Sequence, residues 1–244
     1  MQQLDMRFVL IIPCYNEELS IPMFFAELKE FTNSFNSLFA NQYLEVVIVN
    51  NGSTDNSLKL LLEESKSLSG IHIIECLRPG YGAALKQGFT FAHQQLHADF
   101  YGFCDLDNTY PLSALIPMYE SILKDSKDIV FADRMSKSDG LTITRKFGNW
   151  MYVKLCQWFF DSKLKDVCTG QRIFTKNKIN EVLNLDNNGL NFSIDFTCCV
   201  LKRKWNYHQI SINYHNRTGE SKLNALKDGV AFLITLLRWA YKNE

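Results

Sequence analysis

The sequence predicts an α/β protein with a mainly parallel sheet and helices on both faces. Short apolar runs of strand length alternate with longer helical runs through the first half of the chain. This alternation is typical of parallel sheets, because a helix returns the chain to the start of the next strand. With 244 residues, of which 46% are hydrophobic, the chain is large enough for one substantial core.

The predicted elements follow in order. They are strand 7–12, helix 19–39, strand 44–50, helix 54–66, strand 71–76, helix 81–95, strand 100–104, helix 112–123, strand 128–132, helix 145–160, strand 172–175, helices near 176–183 and 193–203, strand 207–213 and a terminal helix. Pro13 is expected to stop the first strand because proline has no N–H. Ser53 or Thr54 is expected to cap the helix that starts near Asn56.

Four consecutive strands end in polar turns. The turns are Pro13-Cys14-Tyr15-Asn16-Glu17, Asn50-Asn51-Gly52-Ser53, Arg78-Pro79-Gly80-Tyr81-Gly82 and Asp105-Leu106-Asp107. Ligands of open α/β sheets bind where the carboxyl ends of the strands meet, so the four turns predict a ligand site at that edge. Taken one at a time, each turn also fits a plain solvated turn.

The acid pair is the most specific of these turns. Side chains at i and i+2 of an extended chain point the same way, so Asp105 and Asp107 can converge on one cation. Carboxylate oxygens suit Mg²⁺ or Mn²⁺, which often bridge one or two carboxylates and a substrate phosphate.

In order and spacing, the four turns resemble those of the family 2 inverting glycosyltransferases, over roughly residues 8–222. Further motifs make the chain most similar to the dolichol-phosphate mannosyltransferase branch: Thr109-Tyr110-Pro111, Ala132-Asp133-Arg134, Asp166-Val167-Cys168-Thr169-Gly170-Gln171-Arg172 and Arg217-Thr218-Gly219-Glu220-Ser221-Lys222. The resemblance implies a glycosyltransferase A-type fold, with a nucleotide-sugar-binding half at about 1–132 and an acceptor-binding, membrane-facing half at about 133–244.

The resemblance also implies roles for the turns. Asp105 and Asp107 would hold the metal and act in catalysis, and a UDP- or GDP-linked sugar would be bound by Pro13, Tyr15, Asn16, Glu17, Asn50, Asn51, Ser53, Gly80, Gly82 and Lys86. Two of the motifs depart from the family pattern. Thr109 stands where many relatives have Gln, and Asn50-Asn51 stands where relatives carry at least one Asp, which leaves the nucleotide base open.

The acceptor implied by the resemblance is a polyprenyl phosphate. A phosphate monoester is largely dianionic at neutral pH, so it needs cations to position it more than a base to deprotonate it. The candidate cations are Arg134, which is also a candidate catalytic residue, and Arg145, Lys146, Arg217 and Lys222. Asp195 is a further catalytic candidate that could orient the sugar, act as a base or cap a helix.

Charge and aromatic residues point to an anionic partner. Residues 1–144 hold 10 Lys and Arg against 18 Asp and Glu, and residues 145–244 hold 16 against 8. The stretches 147–160 and 225–242 combine apolar runs with Trp, Tyr, Lys and Arg, and neither reaches the roughly 18 apolar residues that span a bilayer. They fit interfacial helices on the cytoplasmic face of a membrane, or alternatively core helices or a homo-oligomer interface. The seven cysteines are expected to be reduced thiols.

Four functions fit these observations. The first is a metal-dependent inverting transfer of a sugar to a polyprenyl phosphate, and the second is transfer to a sugar hydroxyl of a cell-envelope glycan. The third is a non-catalytic nucleotide-sugar-binding module, against which the acid pair argues. Nucleic-acid binding is the least favoured, because no recognition motif accompanies the basic residues.

Overall fold

A seven-stranded sheet of order β3-β2-β1-β4-β6-β5-β7 forms the centre of the protein. The computed structural model describes residues 5–136, 141–217 and 225–242. The strands are β1 (Met6–Cys14), β2 (Gln42–Asn50), β3 (Ile71–Glu75), β4 (Phe100–Phe103), β5 (Ile129–Asp133), β6 (Arg172–Thr175) and β7 (Tyr207–Ser211). β6 runs antiparallel to β4 and β5, and the other neighbouring pairs are parallel. The predicted mainly parallel sheet is confirmed.

Helices cover both faces of the sheet, because alternate strand residues point to opposite sides. They are α1 (Ile21–Leu38), α2 (Ser57–Glu64), α3 (Tyr81–Gln94), α4 (Leu115–Lys124), α5 (Ile143–Phe160), α6 (Ile179–Leu183), α7 (Phe192–Lys202) and α8 (Ala225–Tyr241). Val9 and Ile11 of β1 pack into a core with α3, α5, α6, α7 and α8. Phe8 and Leu10 pack on the other side, into a core with α1, α2 and α4.

Pro13 does not stop the first strand, contrary to the prediction. It lies inside β1 and is paired in register with Val49 of β2. On the β4 side the ladder ends earlier, at Ile11 and Phe103. The Ile11 carbonyl accepts from the first residue after β4, so the backbone of Pro13, two residues on, faces the same side. The missing N–H of Pro13 therefore costs no ladder hydrogen bond.

The predicted cap of α2 is also wrong. The helix begins at Ser57, and neither Ser53 nor Thr54 bonds to its first turn. Asp55 accepts from the Ser57 backbone N–H at 2.9 Å instead. The two hydroxyl residues are used elsewhere, in a contact with the turn that follows β1.

The C-terminal part is built onto the α3 side of the sheet. α8 packs on α5 and α7, and the Tyr152 hydroxyl of α5 donates to the Gly229 carbonyl of α8 at 2.7 Å. Within the described ranges, no helix is both long and apolar enough to cross a membrane. All seven cysteines are free thiols, as expected. The predicted division near residue 132 stays a prediction.

Candidate active site

The turns after β1 and β2 form one hydrogen-bonded unit at the carboxyl edge of the sheet. Asn16 has a φ of 52°, and its N–H donates to the Ser53 hydroxyl at 3.0 Å. Its side-chain oxygen accepts from the Thr54 N–H at 2.7 Å. The Glu17 N–H donates to the Ser57 hydroxyl at 2.8 Å. Asn16 and Ser53, predicted to contact the nucleotide, therefore also hold the two turns together.

The side chain of Asn51 is hydrogen-bonded to the loop after β3. Its side-chain amide donates to the carbonyls of Cys76 at 3.0 Å and Arg78 at 2.8 Å, and its oxygen accepts from the Gly80 N–H at 2.9 Å. Both side-chain N–H groups are thus used within the protein. Asn51 is predicted from the sequence to contact the base of the nucleotide. One lone pair of its amide oxygen is left for such a contact.

The glycine turn, whose Gly80 and Gly82 are predicted to bind the donor, packs against another part of the chain. Gly80 has a φ of 123°, and a Cβ there would lie 2.3 Å from the Asn188 carbonyl oxygen. A Cβ on Gly82 would lie 2.7 Å from Cβ of Phe192. The two glycines therefore let the loop before α7, and α7 itself, close onto the start of α3.

The acid pair follows β4, and one of its four carboxylate oxygens is held by the turn itself. Oδ1 of Asp107 accepts from the Thr109 N–H at 3.2 Å and from its hydroxyl at 2.6 Å. A Cβ on Gly170 would lie 2.8 Å from Oδ2 of Asp105, so a side chain at position 170 would displace this carboxylate. Oδ1 of Asp105 is buried, and no group in the described part of the chain forms a hydrogen bond with it. The carboxylate of Asp105 and Oδ2 of Asp107 are thus what this pair can offer to a cation.

The electrostatics of the pair agree with a cation site. Burial, and next the charge of Asp107, raises the pKa of the Asp105 carboxyl to about 7. The Tyr81 hydroxyl and the guanidinium groups of Arg217 and Arg134 act in the opposite direction. Two carboxylates at this depth repel each other, and a divalent cation would relieve that repulsion. The residues therefore fit the predicted Mg²⁺ or Mn²⁺.

Arg217 connects the acid pair to the turn after β1. Its Nη2 donates to Oε1 of Glu17 at 2.8 Å, and its Nη1 lies 3.4 Å from Oδ2 of Asp107. The structure thus brings Arg217, predicted as a phosphate ligand, next to the predicted metal ligands. Lys222, predicted beside it, lies outside the described residues.

Arg134 is held by a buried partner that the sequence did not reveal. Its Nε and Nη2 donate to the two oxygens of Asp166 at 2.6 and 2.8 Å, and Asp166 is fully buried. The guanidinium also lies 5.9 Å from the ring centre of Tyr110 and 5.5 Å from that of Tyr214. Most of its charge is therefore balanced inside the protein, which leaves less of it for an acceptor phosphate.

Arg172 lies in the interior of the molecule, where its hydrogen-bond acceptors among the described residues are backbone carbonyls of the chain. It is fully buried, and its guanidinium donates to the backbone carbonyls of Thr169 and Ser193 at 2.8 to 3.2 Å. The rings of Phe131 and Phe196 lie 4.8 and 5.1 Å from it. Burial lowers the pKa of Arg172 to about 10. The available signal was an arginine at the start of a short apolar strand, and no role for Arg172 was predicted from it.

Asp195 and Lys86 both support the connection between α6 and α7. Asp195 accepts from the backbone and side-chain amides of Asn187 at 3.1 and 2.8 Å, and from the indole N–H of Trp239 at 2.6 Å. Lys86 donates to the Leu185 carbonyl at 2.8 Å. Asp195 lies inside α7 and does not cap it, so that alternative is wrong. Its roles as a sugar ligand or base stay predictions.

α5 and α8 each expose apolar side chains, and we call these side chains together the aromatic face. Each helix packs inward through other side chains, such as Tyr152 and Phe232. Arg145 and Lys146 lie half-buried in the first turn of α5, where Thr142 caps the helix. The aromatic face comprises Ile143, Phe147, Trp150, Trp158, Val230, Ile234 and Tyr241, each more than half exposed.

Comparison with known proteins gives a consistent family and fold. The family model described as Glycosyl transferase family 2 matches residues 9–209. A dolichyl-phosphate hexose transferase of Haloferax volcanii is 25% identical over 222 residues, which cover 91% of this chain and 88% of that protein. The dolichyl-phosphate beta-glucosyltransferase ALG5D of Trichomonas vaginalis is 26% identical over 242 residues, which cover 94% and 72%. These relatives do not single out the mannosyltransferase branch that the motifs suggested.

A solved structure supports the fold independently. Glucosyl-3-phosphoglycerate synthase from Mycobacterium tuberculosis, in complex with Mn²⁺, uridine diphosphate and phosphoglyceric acid, superposes with a TM-score of 0.68 at 16% identity. The match covers 98% of this chain and 80% of that one. The predicted glycosyltransferase A-type fold is therefore confirmed.

Proposed function

Because the chain belongs to glycosyltransferase family 2, we propose that it transfers a hexose, with inversion, from a nucleotide-diphosphate sugar to a polyprenyl phosphate. The observation that carries this proposal is the acid pair after β4, in which Asp105 Oδ1 has no hydrogen-bond partner among the described residues and Asp107 Oδ2 faces Arg217. The two relatives named above are a dolichyl-phosphate hexose transferase and a dolichyl-phosphate beta-glucosyltransferase, and their names support the acceptor class.

The donor half of the reaction depends on how the acid pair is oriented. Asp105 and Asp107 would hold Mg²⁺ or Mn²⁺, which when bound neutralises the leaving diphosphate. Thr109, which stands where many relatives have Gln, donates two hydrogen bonds to Oδ1 of Asp107 and so turns Oδ2 towards the site. Thr109 thus acts on the metal ligand and needs no contact with the metal itself.

The acceptor half favours a phosphate over a hydroxyl. A hydroxyl nucleophile needs a base, and both oxygens of Asp195, the base candidate, already accept hydrogen bonds within the protein. A phosphate dianion needs cations and hydrogen-bond donors instead. Arg145 and Lys146 in the first turn of α5 fit that need, because the amino end of a helix also attracts anions.

The location that fits a polyprenyl acceptor is the surface of a membrane, on its cytoplasmic face. The aromatic face carries Trp and Tyr beside Lys and Arg, the combination found where a helix lies in a bilayer interface. α5 also reaches the site, because the Asn149 side chain binds Lys165 and Val167 on either side of Asp166. A lipid on this face would therefore have its phosphate near the edge of the sheet.

The test is a transfer assay with Mn²⁺, a panel of UDP- and GDP-linked sugars, and either a short-chain polyprenyl phosphate or an oligosaccharide acceptor. We expect a glycosyl phosphoester only with the lipid phosphate, and loss of activity in EDTA and in Asp107→Asn. The control is Asp161→Asn, at the exposed, left-handed end of α5, where Asn is tolerated. Transfer to the oligosaccharide alone would show that the acceptor is a sugar hydroxyl. Undiminished activity in EDTA would show that the reaction does not use a metal.

A further inference from the structure

The guanidinium of Arg217 lies between two carboxylates. Its Nη2 is 2.8 Å from Oε1 of Glu17, and its Nη1 is 3.4 Å from Oδ2 of Asp107. The side chains of Arg217 and Asp107 are both largely buried, with 22% of Arg217 and 6% of Asp107 exposed. Nε of Arg217 is buried and has no hydrogen-bond partner among the described residues, so these two contacts do not use all of its donors.

The oxygen that Arg217 faces is also the one that a metal would need. Oδ1 of Asp107 is occupied by the N–H and hydroxyl of Thr109, which leaves Oδ2 for any cation. A guanidinium and a divalent ion cannot share this oxygen at close range, because their charges repel each other strongly in a partly buried site. Arg217 and the metal therefore compete for one atom.

We propose that Arg217 is a cation placeholder: it neutralises Asp107 in the unloaded protein and releases it when the metal binds. This inference rests on the metal-dependent function proposed above, and adds to it a positioning role that depends on metal loading. Without Arg217, Asp107 would be a buried carboxylate beside a second one, which is costly. Glu17 keeps hold of the other side of the guanidinium, so Arg217 stays at the site after the exchange.

The exchange couples the metal to the diphosphate. Metal alone must break the contact between Arg217 and Asp107, so it binds weakly. A metal that binds together with a nucleotide diphosphate binds more tightly, because the released guanidinium can donate hydrogen bonds to the phosphate oxygens. Each ligand then increases the affinity for the other, as thermodynamic linkage requires.

The experiment measures Mn²⁺ binding in the absence of turnover, from the electron paramagnetic resonance signal of free Mn²⁺, with and without uridine or guanosine diphosphate. In Arg217→Gln, we expect Mn²⁺ alone to bind at least about threefold more tightly, because the competing charge is gone. In the same variant, we expect the nucleotide diphosphate with Mn²⁺ to bind at least about tenfold more weakly, because a charge-assisted phosphate contact is lost.

Two further variants separate this role from a structural one. Arg217→Lys keeps a positive charge and should bind Mn²⁺ alone about as weakly as the natural protein. Arg203→Gln removes an exposed arginine that pairs with Glu181 at the end of α7, and it should change neither measurement. A structural role for Arg217 would weaken both kinds of binding together.

The placeholder is overturned if Arg217→Gln binds Mn²⁺ alone no more tightly than the natural protein does. This outcome leaves the proposed function standing, provided that the natural protein binds the nucleotide diphosphate in a Mn²⁺-dependent way. If the natural protein does not bind the nucleotide diphosphate in this way, the proposed metal-dependent function is wrong. The placeholder role of Arg217 is then wrong as well.

Discussion

Arg134 and Asp166 form a two-point ion pair, with Nε donating to Oδ2 at 2.6 Å and Nη2 to Oδ1 at 2.8 Å. The backbone N–H of Arg134 also donates to Oδ2 of Asp166, at 3.1 Å. The pair joins the end of β5 to the segment that leads into β6, 32 residues further along the chain. This geometry makes Arg134 a support of the site as much as a ligand for an acceptor.

The first prediction follows from that pair. Asp166→Asn should lower the free energy of unfolding by about 3 kcal/mol, because it leaves the Arg134 charge uncompensated in a mostly buried position. Urea unfolding measures this change. The matched control is Glu120→Gln, which removes an exposed partner of Lys124 and should cost less than about 0.5 kcal/mol. Equal stability of the two variants would show that the buried pair contributes nothing special.

The second prediction concerns pH. The pKa of Asp105 is raised to about 7, so the folded protein binds a proton that the unfolded chain, with a carboxyl pKa near 4, has lost. Stability of the metal-free protein should therefore fall as pH rises from about 4 to 7, and the loss should be complete above pH 7. Asp105→Asn removes this titration. Its stability advantage in EDTA should be roughly 2 to 3 kcal/mol larger at pH 8 than at pH 5.

Urea unfolding at both pH values checks that difference, with Asp161→Asn as the control, whose curve should run parallel to that of the natural protein. A constant offset between Asp105→Asn and the natural protein would contradict the raised pKa.

The third prediction concerns Asn51. Asn51→Asp keeps the shape of the side chain but turns two N–H donors into an oxygen that faces the carbonyls of Cys76 and Arg78. We expect a loss of at least about 2 kcal/mol in unfolding free energy, because buried acceptors lose their partners and face a charge. Asn33→Asp, at an exposed position of α1, is the control and should be nearly neutral. If Asn51→Asp has the same unfolding free energy as the natural protein, the stability of the fold does not depend on this side chain, and the predicted role in binding the nucleotide base is favoured.

The fourth prediction concerns the aromatic face. The natural protein should co-sediment with vesicles that contain anionic lipid, and less so at high salt. Trp150→Ser with Trp158→Ser should reduce the bound fraction roughly tenfold, because two large exposed side chains no longer enter the interface. Leu38→Ser, an equally exposed apolar position on α1, should leave binding unchanged.

Sedimentation velocity tests the alternative role of the aromatic face, which is contact between two copies of the chain. If the natural protein stays out of the lipid pellet at low salt and forms dimers that the two Trp substitutions disrupt, the aromatic face is a subunit interface. The sedimentation experiment therefore decides between the two partners that the sequence left open.

Local patterns in the sequence determined most of the fold. The apolar runs and polar turns predicted β1 to β5 and the helices between them to within a few residues, because period and turn chemistry act over short distances. The same patterns predicted that Asp105 and Asp107 stand side by side at the edge of the sheet. Local patterns could not show that Pro13 fits inside β1, because that depends on where the neighbouring β4 ends.

Tertiary structure alone decided which candidate side chains remain available to ligands. Asn51 meets residues up to 29 positions away, and Arg217 meets Glu17 across 200 positions. Asp195 meets Trp239 across 44. Such pairings leave no periodic trace in the sequence, since each depends on how distant segments pack. Composition and spacing therefore predicted the kind of chemistry at the edge of the sheet, and packing decided which residues hold the site together and which face it.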